Sequence, residues 1–248
     1  MAPPILYVIN LDRDLERLEA VRKNFASQGL SFERVPGIVG KELPDWRGYV
    51  HMPAYARHNR QETPRPGEIG CYLSHLKAME TFLRSEAAWC VIFEDDAEVL
   101  PGFVEVLRAL GERTDWDMVK LFNFHSGLPV RKGRLTATHD LVVHLTRTTS
   151  AAAYAVNRRA AKRLLESMLP MVEQLDHAHD RPWETGLRIR GVRPMPVMLA
   201  PVSAAQSTIG YKDRDRSDRS WGKSLRLFFF RAKKEICRFG YGLVDVMR

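Results

Sequence analysis

Cysteine is scarce in this chain, with three among 248 residues. An odd and low count excludes a disulfide framework. Cys71 and Cys90 lie in apolar runs and read as small buried side chains of a reducing compartment. Long hydrophobic runs are missing too: no stretch approaches the roughly 18 uninterrupted apolar residues of a membrane span. The opening MAPPILYVINLDRDLERL has neither a basic leader nor a cleavage site, so the chain is expected to start on a strand and stay in the cytoplasm. Disorder-type bias and internal repeats are absent, and 45% hydrophobic with 27% charged residues is an ordinary globular balance.

An excess of acid is also lacking. Lys and Arg number 38 against 30 Asp and Glu, a formal charge of +8, and the surplus concentrates after Lys212. Such a balance suits nucleic acid, an anionic membrane surface or an acidic substrate. A nucleic-acid module would interleave stacking aromatics with Lys and Arg across a sheet. Here the aromatics outside the tail fall in apolar strands and helices, so no nucleic-acid partner is expected.

What is present is an alternation of strand and helix patterns. ILYVINL (5–11) reads as a buried strand. A helix follows in which Leu15, Leu18, Val21 and Phe25 recur at helical spacing, with Asp12 or Asp14 as its cap and Gly29 as its stop. SFERVPGI reads as a second strand, and residues 37–66 as an inserted loop region suited to substrate contacts. From Pro66 to Arg84 the stripe Ile69, Leu73, Leu76, Met79 and Phe82 predicts a helix, beside a small-residue stripe of Cys71, Ser74 and Ala78. Trp89–Phe93, residues 117–124 and two short runs in LVVHLTRTTSAAAYAVN read as further strands. Pro101 opens one helix and Asn157 caps another, RRAAKRLLESML. Residues 182–202 hold a short helix and an extended Pro-rich stretch. Strands alternating with helices predict an α/β three-layer sandwich with a mostly parallel central sheet.

Three clusters carry chemistry. In CVIFEDDAEV (90–99) an apolar strand runs straight into Glu94, Asp95 and Asp96. Ligands collect at strand C-termini in open α/β sheets, and three neighbouring carboxylates raise one another's pKa unless a cation sits among them. Hard oxygen donors without thiolates suit Mg²⁺ or Mn²⁺. The bland alternative is an acidic helix entrance. The second cluster, QLDHAHDRPWE (174–184), places Asp176 and Asp180 one helical turn apart. Its His177, His179 and Asp180 could instead serve a metal-dependent hydrolase together with the EDD cluster. In the third, GEIGCYLSHLKAME (67–80), Ser74 and His75 are a polar pair lining a pocket or buried, satisfied core residues. As adjacent helix residues they point about 100° apart, which excludes a nucleophile pair.

VINLDRDLERL, GEIGCYLSH, VIFEDD, SAAAYAVNRRAAKRLL and LD…RPWE, in this order over about residues 4–210, resemble glycosyltransferase family 25. These are bacterial lipooligosaccharide and lipopolysaccharide transferases related to collagen galactosyltransferase domains. The resemblance implies a GT-A-like, Rossmann-type sandwich over residues 1–210, followed by a basic, partly amphipathic segment over 211–248. It implies transfer of a hexose, galactose foremost, from a UDP-sugar to a lipid-linked oligosaccharide acceptor, with inversion. The EDD cluster stands where the family keeps its DxD-type motif. Asp96 and Glu94 are then the metal residues, for Mn²⁺ or Mg²⁺, and Asp95 joins Asn10, Arg13, Arg17, Ser74 and His75 toward the nucleotide sugar. Asp176 or Asp180 would be the base that deprotonates the acceptor hydroxyl. KSLRLFFFRAKKEICRFGYGL is expected either to lie on an anionic inner-membrane surface in a bacterium or to pack its aromatic face on the domain, leaving a solvated basic face.

Overall fold

The computed structural model describes residues 3–200 and 221–247. It contains β1 (Ile5–Asn10), α1 (Leu15–Ser27), β2 (Glu33–Pro36), α2 (Met52–His58), α3 (Pro66–Arg84), β3 (Trp89–Glu94), β4 (Ala97–Val99) and α4 (Phe103–Gly111). There follow β5 (Met118–Lys120), β6 (Pro129–Arg134), β7 (Asp140–His144), β8 (Ala153–Asn157), α5 (Arg158–Met168), α6 (Leu175–His179) and α7 (Pro182–Thr185). The last elements are β9 (Ile189–Arg193), β10 (Val197–Leu199) and α8 (Trp221–Met247). The end of the expected GT-A-like segment and the first residues of the basic tail, 201–220, lie outside the described residues.

One sheet of order β2-β1-β3-β8-β5-β9-β7-β6 forms the centre, with β4 and β10 paired beside it. Pairing is parallel for β1 with β2 and β3 and for β5 with β9, while β8 and β7 run antiparallel to their neighbours. The α/β sandwich read from the sequence is the observed architecture.

Strand alternation sends successive residues to opposite faces. On one face Tyr7, Ile9, Cys90, Ile92 and Tyr154 pack with Leu76, Met79 and Phe82 of α3 and Leu164 of α5. On the other, Leu6, Val8, Val91 and Phe93 pack with Val21 and Phe25 of α1 and Val106 and Leu110 of α4. Burying a side chain of this size is worth about 1.5–3 kcal/mol, so these two layers fix the register of β1 and β3.

Local signals account for most boundaries. Pro66 stands in the first turn of α3, where a missing N–H costs nothing. The Arg65 N–H donates to Glu68 Oε2 at 3.0 Å, one half of a capping box. Asn157 caps α5 as expected, its Oδ1 accepting from the Ala160 N–H at 2.8 Å. Asp14 occupies the cap position of α1 but makes no side-chain cap bond. The turn is held instead by Asn10 Nδ2, which donates to the Asp14 carbonyl at 2.9 Å.

Three elements differ from the sequence expectation. Residues 37–66 carry α2 and two short 3-10 turns. The strand expected over 117–124 spans only Met118–Lys120. The polar stretch before Asp140 forms β6, an edge strand with half of its residues exposed and no apolar alternation to announce it.

The C-terminal helix α8 packs against α2, α7 and β7, and it inverts the faces of the second of the two expectations, packing of the aromatic side on the domain. Its inward residues are Leu227, Arg238, Gly242 and Asp245, while Phe228, Phe229, Ile236 and Phe239 point out. The inward cations meet carboxylates: Lys234 with Glu173 at 2.7 Å, Arg238 with Asp180 at 3.1 Å, and Lys223 with Glu62 at 3.4 Å. Asp245 pairs with the buried Arg190 of β9. The aromatic face is therefore not the packed one, and of the phenylalanine run only Phe230 turns in, stacked on His58 at 4.2 Å between ring centroids.

Candidate active site

The site lies at the C-terminal ends of β1 and β3, where Asn10 and Glu94 end neighbouring parallel strands. The same alternation that sorts the core sorts the three carboxylates. Cys90 and Ile92 face α3, so Glu94 does too; Val91 and Phe93 face α1, and so does Asp95. One acidic run thereby feeds two environments.

On the α1 side, Asn10 Nδ2 donates to Asp95 Oδ2 at 2.8 Å, and Arg17 Nη2 reaches Asp95 Oδ1 at 2.7 Å and Asp96 Oδ2 at 3.3 Å. Arg34 fixes Asn10 from β2, donating to its Oδ1 and to its carbonyl, each at 3.0 Å. Burial raises the Asp95 acid, with Arg17 and Asn10 offsetting part of the effect. Asp96 is pushed further, to about 7, by burial and then by Glu94 and Asp95, against the pull of Arg17. Its Oδ1 is buried with no hydrogen-bond partner among the described residues. A carboxylate oxygen left so, beside two other acids and one arginine, is a vacant donor for a cation.

On the α3 side, His75 Nε2 lies 3.2 Å and Cys71 Sγ 3.7 Å from Glu94 Oε1. His75 Nδ1 is 2.9 Å from the Tyr154 hydroxyl, and the two rings stack. Burial alone would raise the Glu94 acid; the bond and charge of His75 outweigh it and hold Glu94 below its usual value. Cys71 behaves oppositely, its thiol driven well up by burial and by Glu94. It therefore stands as a thiol donating to Glu94. Cys71, His75 and Glu94 present ligand atoms within 4.8 Å of one another, the one such metal-type trio among the described residues. His177, His179 and Asp180 form no such trio among the described residues.

Asp176 sits in the first turn of α6, half-buried, with no ion pair among the described residues. Its Oδ1 accepts from the His177 N–H at 2.9 Å, and its charge contributes to raising the Cys71 thiol. Asp180 is committed elsewhere, to Arg238 at 3.1 Å and to the Thr148 N–H at 3.4 Å.

The profile described as glycosyltransferase family 25 (LPS biosynthesis protein) matches residues 4–179, which hold both carboxylate environments and Asp176. The chain belongs to glycosyltransferase family 25. A "Glycosyltransferase 25 family member" of Anopheles gambiae is 28% identical over 79% of this chain and 36% of its own length. "Procollagen galactosyltransferase 1-A" of Xenopus laevis is 24% identical over 71% of this chain and 31% of its own. "Inactive glycosyltransferase 25 family member 3" of Mus musculus is 27% identical over 71% of this chain and 32% of its own. The chain thus spans about a third of the length of these relatives. Because active and inactive members share the family, the side chains carry the argument for activity.

The remaining family-25 segments serve the frame. Ser74 Oγ donates to the Gly70 carbonyl at 2.6 Å and accepts from the Ile38 N–H at 2.8 Å, so it seats the 38–40 loop on α3. That loop passes so close that a Cβ at Gly70 would stand 2.4 Å from the Ile38 carbonyl oxygen. Arg13 is mostly exposed and meets only Asp14, at 3.8 Å, among the described residues. The roles of three side chains escaped the sequence reading, which placed His179 only in a metal-hydrolase cluster. Tyr154 orients His75. Cys71 turns from the packing stripe toward Glu94. Buried His179, which has no hydrogen-bond partner among the described residues, lies edge-on to Tyr154 at 4.8 Å. The turn before β8 holds Thr149 and Ser150 at positive φ, +47° and +105°, a strained conformation of a kind that gathers at functional sites. Only the small-residue run TTSAAA hints at it.

Proposed function

We propose that this family-25 chain transfers a hexose, galactose foremost, from a UDP-sugar to a saccharide acceptor with inversion. The observation that supports it most is Asp96, a half-buried acid just past the C-terminus of β3, with one buried oxygen unpartnered among the described residues and a pKa raised to about 7. Asp96 and Glu94 would hold Mn²⁺ or Mg²⁺, which supplies countercharge to the diphosphate that departs with the nucleoside. Asn10 and Arg17 position Asp95 beneath the nucleotide, and His75 keeps Glu94 ionised and aimed. The buried side chains of Ser74 and His75 act through the loop and the carboxylate they hold. Galactose comes from the name of the Xenopus relative, and a lipid-linked oligosaccharide from the family's LPS description. In a bacterium such an acceptor is met from the cytoplasmic side of the inner membrane.

Asp176 is the base in this reading. Its carboxylate is free of ion pairs among the described residues, whereas both the charge and the geometry of Asp180 are taken up by Arg238. A base holding the acceptor hydroxyl contributes on the order of 10²–10⁴-fold in rate.

The test is a thermal-shift series with UDP and Mn²⁺, alone and together, followed by transfer assays. Stabilisation that requires both ligands, and transfer that falls on the order of 10²-fold or more in Asp176→Asn with that stabilisation intact, are the expected results. No response to any nucleotide would overturn the reading. Full activity in Asp176→Asn would move the base elsewhere.

A further inference from the structure

The outward face of α8 is a feature that the transferase chemistry leaves unused. Starting from Trp221, the stripe Leu225, Phe228, Ile236, Phe239 and Leu243 recurs at intervals that keep it on one side of a helix. These residues are open to solvent: Trp221 is 86% exposed, Ile236 72% and Phe228 64%. A helix packed on a domain normally turns this stripe inward. Here the inward positions hold charged residues already answered by Glu173, Asp180 and Arg190, so the apolar stripe cannot be rotated into the core without burying unpaired carboxylates.

The fully exposed charges beside the stripe are cationic. Arg226, Arg231 and Lys233 are exposed, and Arg231 lies near enough to Arg60 and Arg147 to feel their charge. The two acids of α8 are both paired: Glu235, with its side chain 42% exposed, accepts from Arg238 at 2.6 Å, and Asp245 is buried against Arg190. At 27 residues α8 is about 40 Å long, yet no described helix is apolar enough to cross a membrane. An exposed apolar stripe with a cationic border, a Trp at one end and too much charge to insert has the physical character of a helix lying flat in a lipid interface.

We propose that α8 docks the chain on an anionic lipid surface, with its axis in the membrane plane, Phe228 and Ile236 among the acyl chains and Arg226 and Lys233 at the headgroups. The occupant is lipid rather than a second copy of this chain. Two α8 stripes laid together would crowd cationic borders, and the one partly exposed acid of the helix, Glu235, is already taken by Arg238. The inference goes beyond the transfer reaction and stands on the surface of α8 alone.

The test is flotation of the full chain with vesicles of phosphatidylcholine, with and without phosphatidylglycerol. Binding to the anionic vesicles, weakened by salt, is expected, with little to pure phosphatidylcholine. Phe228→Ser combined with Ile236→Ser should lower the bound fraction at least tenfold with an unchanged thermal melt, because both side chains are already in solvent. Arg226→Glu with Lys233→Glu should abolish the preference for anionic lipid while the melt again stays put. Absence of flotation with anionic vesicles would overturn the proposal, as would binding that the serine pair leaves intact. A concentration-dependent dimer in light scattering, dissolved by the serine pair, would reassign the face to a second copy.

Discussion

Arg238 Nη2 lies 3.1 Å from Asp180 Oδ2 and 3.1 Å from the Asp180 carbonyl, with both side chains buried. The contact joins the last helix of the chain to the turn that ends α6, four residues beyond Asp176. It also explains why two aspartates one helical turn apart are not equivalent: one is spent as an anchor and the other has no ion pair among the described residues. Trp183 backs the guanidinium, 5.2 Å from Arg238 Cζ, so the RPWE segment serves this joint.

Arg238→Ala should destabilise the chain by about 3–5 kcal/mol, because the Asp180 charge is left buried without its partner. Pairing it with Asp180→Asn should recover part of the loss. Urea unfolding of the two single variants and the double variant measures the coupling directly. Additive effects would mean that the two side chains do not depend on one another.

Cation affinity should depend on pH. Asp96 sits near 7, so a divalent ion must displace its proton below that point and meets a carboxylate above it. Mn²⁺ affinity is expected to rise between about pH 6 and about pH 8 and to lose that slope in Asp96→Asn. Calorimetric titration in two buffers of different ionisation enthalpy would count the released proton.

Gly70→Ala should fold poorly. Its Cβ would stand 2.4 Å from the Ile38 carbonyl oxygen and 2.8 Å from the Gly40 nitrogen, and backbone cannot yield as a side-chain tip can. A loss of about 1–3 kcal/mol is expected, read as a lowered melting temperature. Weaker nucleotide binding should accompany it, since the displaced loop is the one that Ser74 seats on α3.

Acid sensitivity should centre on Asp117. Burial would raise this carboxyl, but bonds from Arg188, Asn157 and Arg159 outweigh it and hold the group at about 2. Because the folded value lies below the unfolded one, the stabilisation is complete above about pH 4 and is lost as pH falls toward 2. The difference is worth about 2 kcal/mol. Chemical denaturation at pH 5 and pH 3 should show the drop in the parent chain, and Asp117→Asn should remove this part of it.

The sequence foretold what depends on periodicity and placement. Apolar alternation in β1 and β3, the stripe of α3 and the Asn157 cap are local signals, and the EDD run lies where a strand must end. It was silent where the outcome depends on partners distant in the chain. Nothing near Asp180 announces Arg238, and nothing near Cys71 says that the thiol turns to Glu94 rather than into the packing layer. The tail shows the limit most plainly. Its mixture of basic and aromatic residues predicts two faces, but which face turns inward is decided by Glu173, Asp180 and Arg190, all supplied by other elements.

That inversion bears on how the chain can be handled. Greasy tails are commonly clipped from proteins that aggregate, and here the greasy side is only the outer half of the segment. Clipping α8 would strip Glu173, Asp180 and Arg190 of their counterions at once, and would take the backing from the turn next to Asp176. Repainting the outer surface with serine leaves those joints whole. For this fold, the tail is best edited on its skin and left attached.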